Sequence, residues 1–203
     1  TDPAPDTTDP VPDTTAPPAT SVIQAVQEFG SGFCSEPANT TLMGSVPGVE
    51  GVVTAGPVVL EDGATRVLLS EGTGLPNSAI TVLIEDNAGE AAGVTWYPGL
   101  SVTVDGQHRE SLCHTEVFVT TEQAANATTS AATALAPVSL TVEELAADLE
   151  GWESMFVTLV ATDGEPLVTQ VSLVDDVLLT DLCADCSSQI GIDAWFNPEV
   201  VIL

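Results

Sequence analysis

The sequence predicts an all-β protein: a small barrel or sandwich with two short helices, followed by a second, smaller β-rich unit. Three observations lead there. Short apolar runs alternate with period two, as where Ile80, Val82 and Ile84 share one face and Thr81, Leu83 and Glu85 the other. Five or six such runs, separated by Gly, Pro and Asp turns, fall within about 75 residues, the density of a small barrel. The hydrophobic fraction of 44% and a mean hydropathy of +0.28 distinguish the chain from disordered acidic sequences.

Residues 1–20, TDPAPDTTDPVPDTTAPPAT, form a separate tail with six prolines, four aspartates and the near repeat DPAPDTT/DPVPDTT. Such a segment cannot bury enough surface to offset its ordering entropy, so an extended chain with polyproline character is expected. It serves either as a spacer to an anchor or wall, or as an arm received along a groove or sheet edge of a neighbouring molecule. The residues of such an arm are Asp2, Pro3, Pro5, Pro10, Val11, Pro12, Pro17 and Pro18.

Residues 21–121 are expected to form the barrel domain. Ser21 with Gln24 three residues later makes a capping box for a short helix, with Val22, Ile23, Val26 and Phe29 on one side and Gly30 at its end. Residues 51–59 contain Gly56 and Pro57 and predict a bent or bulged strand. Further strands are expected at 66–69, 80–84, 94–97, 100–104 and 116–120, with a turn at 86–89.

The runs GVEGVVTAG, ITVLIEDNAGEAAGVTWY and GLSVTVDGQ, in that order, resemble the OB-fold domains of secreted bacterial proteins. Such domains are often placed ahead of extracellular nucleases of the endonuclease/exonuclease/phosphatase type. The matching positions are GVVT at 51–54, Asp86 with Gly89, and VTVDG at 102–106, and SVIQAVQ is similar to the short helix that precedes such domains. The resemblance spans about residues 20–121 and implies an OB-like Greek-key barrel. OB folds often bind single strands through aromatics in a basic groove, and this chain lacks the bases for one.

Residues 122–139 are rich in Ala, Thr and Ser and are expected to be a linker. In residues 140–203, Thr141 and Glu144 form a second capping box, with Val142, Leu145, Ala146 and Leu149 at helical spacing and Gly151 as the stop. EGWESMFVTLVATD and IGIDAWF resemble parts of the second unit that follows the family's first domain. The unit is short of strands, which points to an incomplete OB-like barrel with an open edge.

Charge narrows the functions. The net charge is −28, and the basic residues are Arg66 and Arg109, with no lysine. Polyanions and acidic membranes are bound through Lys and Arg, so nucleic acid is not an expected partner, and neither is insertion into a membrane. A lysine nucleophile or Schiff base and an arginine clamp on phosphate are likewise disfavoured. The acidity either keeps an exported protein soluble or reflects a saline habitat or bound Ca²⁺.

The chain starts at Thr1 without methionine and has no apolar run near 18 residues, so an exported protein with its signal segment removed is expected, outside the cell or on its surface. The four cysteines, Cys34, Cys113, Cys183 and Cys186, are read as disulfide candidates. Were Cys34 to pair with Cys113, the closed loop would contribute roughly 4 kcal/mol.

His108, Cys113 and His114, with the CADC pair Cys183 and Cys186, offer zinc or copper ligand types, but one C-x-x-C is half a site and no metal is expected. Serine-hydrolase, zinc-protease, phosphate-loop and dinucleotide motifs are missing, so no enzyme is expected. Glu61-Asp62, Glu85-Asp86 and Asp175-Asp176 read as solvated turns, with calcium coordination as the minor alternative. Trp96, Tyr97, Trp152 and Trp195 read as core before carbohydrate platform, and Asn39 and Asn126 fit the N-glycosylation pattern.

The expected function is therefore that of a non-enzymatic extracellular structural protein that self-assembles into a fibre or surface layer through its tail. The alternative is a glycan- or calcium-binding accessory module of a surface lipoprotein or secreted hydrolase system.

Overall fold

The structure is a computed structural model that describes residues 20–30, 41–60, 62–85, 94–111, 114–160, 167–171, 176–181 and 189–193. Helix α1 (Val22–Gly30) is followed by strands β1 (Thr41–Val59), β2 (Thr65–Ser70), β3 (Ala79–Ile84), β4 (Leu100–Ser111) and β5 (His114–Val119). These five strands close into a ring. β1 pairs with β2, β2 with β3, β3 with β5, β5 with β4, and β4 returns to β1. Only the β3–β5 pair in this ring is parallel. The chain is strand-dominated and barrel-like, as the alternation of its apolar residues predicts.

β1 closes the ring because it bends. Its first part, to Val52, pairs with β4 and its remainder with β2, with register shifts between Val53 and Ala55 and between Ala55 and Val58. Gly56 sits at φ +92°, and a Cβ there would stand 2.8 Å from the Arg66 carbonyl oxygen, so only glycine fits this close approach. The predicted bent strand is thus present, longer at its N-terminal end than the apolar run suggested.

The interior is built from inward-facing β-branched residues: Val49 and Val53 of β1, Ile80 and Val82 of β3, Val102 of β4 and Val117 of β5 are fully buried. Each such side chain contributes about 1.5–3 kcal/mol relative to exposure. α1 closes one side of this core with Ile23 and Val26. The Ser21 hydroxyl accepts from the Gln24 N–H at 3.1 Å, which is the N-cap half of the expected capping box. The buried face differs from the expected one: Val22 and Phe29 are exposed, and the buried Gln27 donates to the Ala79 carbonyl at 2.7 Å. The buried glutamine is tolerated there because its amide is satisfied by a backbone acceptor.

Residues 94–97, expected as a strand, are irregular; Trp96 turns into the core and Tyr97 stays exposed. Residues 122–139, expected as a linker, carry structure. Helix α2 (Thr121–Ala125) is opened by a Thr120/Gln123 capping box, and strand β6 (Thr128–Ala131) pairs antiparallel with Leu100–Thr103 of β4. Small polar side chains show no apolar period, yet their backbone is free to extend a sheet.

Strand β7 (Val138–Thr141) pairs in parallel with β8 (Val157–Val160) across helix α3 (Val142–Ala147). The Thr141/Glu144 capping box of α3 is formed. The helix ends before Leu149, because Asp148 departs from helical geometry and its carboxylate accepts from the Gly151 N–H at 3.0 Å. Strands β9 (Leu167–Val171), β10 (Asp176–Asp181) and β11 (Gln189–Asp193) form an antiparallel sheet in the order β9-β10-β11. No helix among the described residues is long and apolar enough to cross a membrane.

Candidate functional site

Both basic side chains of the protein converge on one carboxylate. Arg109 of β4 and Glu116 of β5 are cross-strand partners, and alternation sends both to the outside of the barrel. Arg109 Nε donates to Glu116 Oε1 at 2.5 Å, and Arg66 Nη2 of β2 lies 3.8 Å from Oε2. Glu116 is fully buried, and the Arg109 guanidinium also stands 5.7 Å from the centre of the Phe118 ring. The two guanidinium groups are thereby engaged in the barrel wall.

Beside this cluster, a hydrogen-bonded chain fastens the segment after α3 to the barrel. His114 Nδ1 is 2.5 Å from Glu153 Oε1, and its Nε2 is 2.9 Å from Thr81 Oγ1. Thr81 Oγ1 is 2.8 Å from Ser154 Oγ, and both Glu153 oxygens accept from the Thr115 N–H. The Asn77 N–H donates to the Gly151 carbonyl at 2.6 Å. A hydroxyl, an imidazole and a carboxylate in series are the connectivity of a nucleophile, base and orienting acid. Thr81, however, is fully buried in the middle of β3 and its hydroxyl is closed over by Ser154, so no acyl group can reach it. The arrangement acts as a clasp.

Glu150 lies in the same segment. Its carboxyl is held above the ordinary range, first by burial, then by the charges of Glu153, Glu110 and Asp148, with His114 opposing them.

The proposed nitrogen ligands do not converge. His108 is in phase with the inward-facing residues of β4, where it lies 2.7 Å from Glu110 Oε1 and meets the Phe29 ring edge-on at 5.6 Å. His114 is in phase with the outward-facing residues of β5. Among the described residues no group of three His, Cys, Asp or Glu side chains is placed to hold a metal ion. Cys34, Cys113, Cys183 and Cys186 lie outside the described residues, as do Asn39, Trp195 and the tail positions Asp2, Pro3, Pro5, Pro10, Val11, Pro12, Pro17 and Pro18. The acidic pairs lose one member each in the same way, since Glu61, Asp86 and Asp175 are outside. Asn126 is exposed at the C-terminal cap of α2.

Clefts and strand edges among the described residues offer surfaces for contact. A cleft of about 390 Å³ lies between the start of α1 and the barrel wall, lined by Ser21, Glu50, Ser70, Glu71 and Ser101 among others. A second, of about 230 Å³, is bordered by Thr54, Leu135, Met155 and Phe156. β6 is exposed at all four residues and is joined to the sheet on one side, by β4.

Sequence reasoning missed the Glu116 cluster and the His114 clasp. The signal available was narrow: two arginines and one in-phase glutamate on alternating strands, whose register no local pattern discloses. Comparison with known proteins finds no protein family, curated protein or solved structure that matches the chain.

Proposed function

We propose that this protein is a non-enzymatic extracellular structural subunit that assembles with copies of itself, as a fibre or surface layer, through its N-terminal tail. The observation that carries the reading is the set of unpaired strand edges. Among the described residues β6 has a neighbour on one side, β7 and β8 form a two-stranded sheet, and β9 and β11 are the outer strands of theirs. Unpaired edges present rows of N–H and C=O groups that template a further strand. Residues 1–20 supply a proline-rich segment whose composition favours an extended chain with no competing core of its own.

A chain of net charge −28 repels its copies, so assembly belongs to conditions that screen carboxylates. Sedimentation velocity on the full chain at low and at molar NaCl tests this. High-order species that grow with salt and are lost on removal of residues 1–20 are expected; a monomer at every salt concentration rejects the reading.

One observation favours the binding-module alternative. The cleft lined by Glu50, Glu71 and three serine hydroxyls offers oxygen ligands of the kind that hold Ca²⁺ or sugar hydroxyls. Under that alternative, Ca²⁺ or a glycan raises the melting temperature of the monomer.

A further inference from the structure

We infer that the acceptor for the tail is the outer edge of β6, and that its occupant is one DPxPD repeat from a second copy of this chain. The inference rests on the assembly reading above. The Ala132 N–H donates to the Gly99 carbonyl at 2.8 Å, and Ser101 faces Ser130 in the β4–β6 register. Antiparallel ladders alternate, so Thr128 and Ser130 turn their backbone groups to β4, whereas Thr129 and Ala131 turn theirs to the open side.

The prolines of the tail fit that side. Pro3 and Pro5 are two apart, and so are Pro10 and Pro12. In an extended chain each pair removes donors from one edge and leaves the other intact, with N–H groups at Ala4 and Asp6 or at Val11 and Asp13. A repeat can therefore pair along one edge only. It completes β6 without offering a new edge, and growth proceeds as a head-to-tail chain of subunits.

Charge disfavours the sheet that holds β10 and β11, and exposure separates β6, open at all four residues, from the uncharged but partly buried β7 and β8. Residues 123–142 carry no charged side chain, the longest such stretch in the sequence, whereas β10 and β11 carry aspartates at 176, 181 and 193. An arm with four aspartates meets the least repulsion there. The tail's own barrel is the poorer acceptor. Ser21 and Ser101 line the same cleft, which roots the tail beside its own β6. Residues at and before proline favour extended backbone, so Ala16-Pro17-Pro18 disfavours a tight reversal that would return residues 9–13 to a strand beside their own root.

The test uses the full chain. Ala4→Pro with Val11→Pro removes the central donor of each repeat, and Thr129→Pro removes an outward donor of β6. Each change is expected to raise the concentration needed for assembly at least about tenfold. Replacing Pro3, Pro5, Pro10 and Pro12 by alanine restores donors and leaves assembly intact. Hydrogen exchange in assembled wild-type protein is expected to slow at Thr129 and Ala131. Wild-type assembly by the Ala4→Pro, Val11→Pro chain, whose barrel is unaltered, overturns the acceptor assignment while assembly stands, as does protection at β8 or β11 instead. Protection of Thr129 already in dilute monomer makes the chain's own tail the occupant and overturns the second copy. A wild-type chain that never assembles removes the reading itself.

Discussion

Glu116 is enclosed between Arg66 and Arg109, so its removal takes away the buried carboxylate that both guanidinium groups face. Glu116→Ala is expected to lower the unfolding free energy by about 3–5 kcal/mol in urea titration. Replacing all three residues with apolar side chains of similar volume is expected to recover much of that loss; equal loss in the triple variant would contradict the charge account. Glu150 gives the pH dependence. Its folded pKa is raised, so its contribution is fully present below the unfolded pKa near 4.5 and is lost as pH rises through the folded value. Glu150→Gln is therefore expected to raise the melting temperature at pH 7 and to flatten the profile from pH 4 upward; a lower melting temperature at pH 7 contradicts this. At this scale the caps were legible, because Ser21 with Gln24 and Thr141 with Glu144 act over one turn. The partners of Glu116 and His114 come from strands distant in sequence, and nothing local specifies them.

Single strands and helices were mostly legible where one face is apolar. β3 alternates Ile80, Val82 and Ile84 with Thr81 and Leu83, and the structure pairs it as a strand, although both faces are buried. Residues 94–97 look like a strand because Val94 and Trp96 alternate, yet Trp96 serves as an isolated core plug and the backbone does not pair. β6 was illegible because Thr-Thr-Ser-Ala has no apolar side to reveal, and its pairing follows from the α2 cap that turns the chain back along β4. Gly106 of β4 tests how tightly β4 and β5 close the ring. A Cβ there would overlap Val117 Cγ1 and stand 2.9 Å from the Phe118 carbonyl oxygen. Gly106→Ala is expected to cost about 1–3 kcal/mol, measured by urea unfolding, and a neutral effect would mean the β4–β5 contact is looser than the structure has it.

At the scale of the molecule, the closed ring was foreseeable from strand count and spacing, while the order β1-β2-β3-β5-β4 required long-range pairing to see. Closure removes the edges of five strands, so among the described residues the strands with an open side are β6 and those of the C-terminal sheets. Under the proposed assembly the tail is the donor and the β6 edge the acceptor on one molecule, the requirement for heterologous, non-closing association. Negative-stain electron microscopy of the full chain beside the chain lacking residues 1–20, both in molar salt, tests this most directly. Fibres or layers from the full chain and single particles from the shortened one are the predicted result; single particles from both, at all protein concentrations, would contradict it.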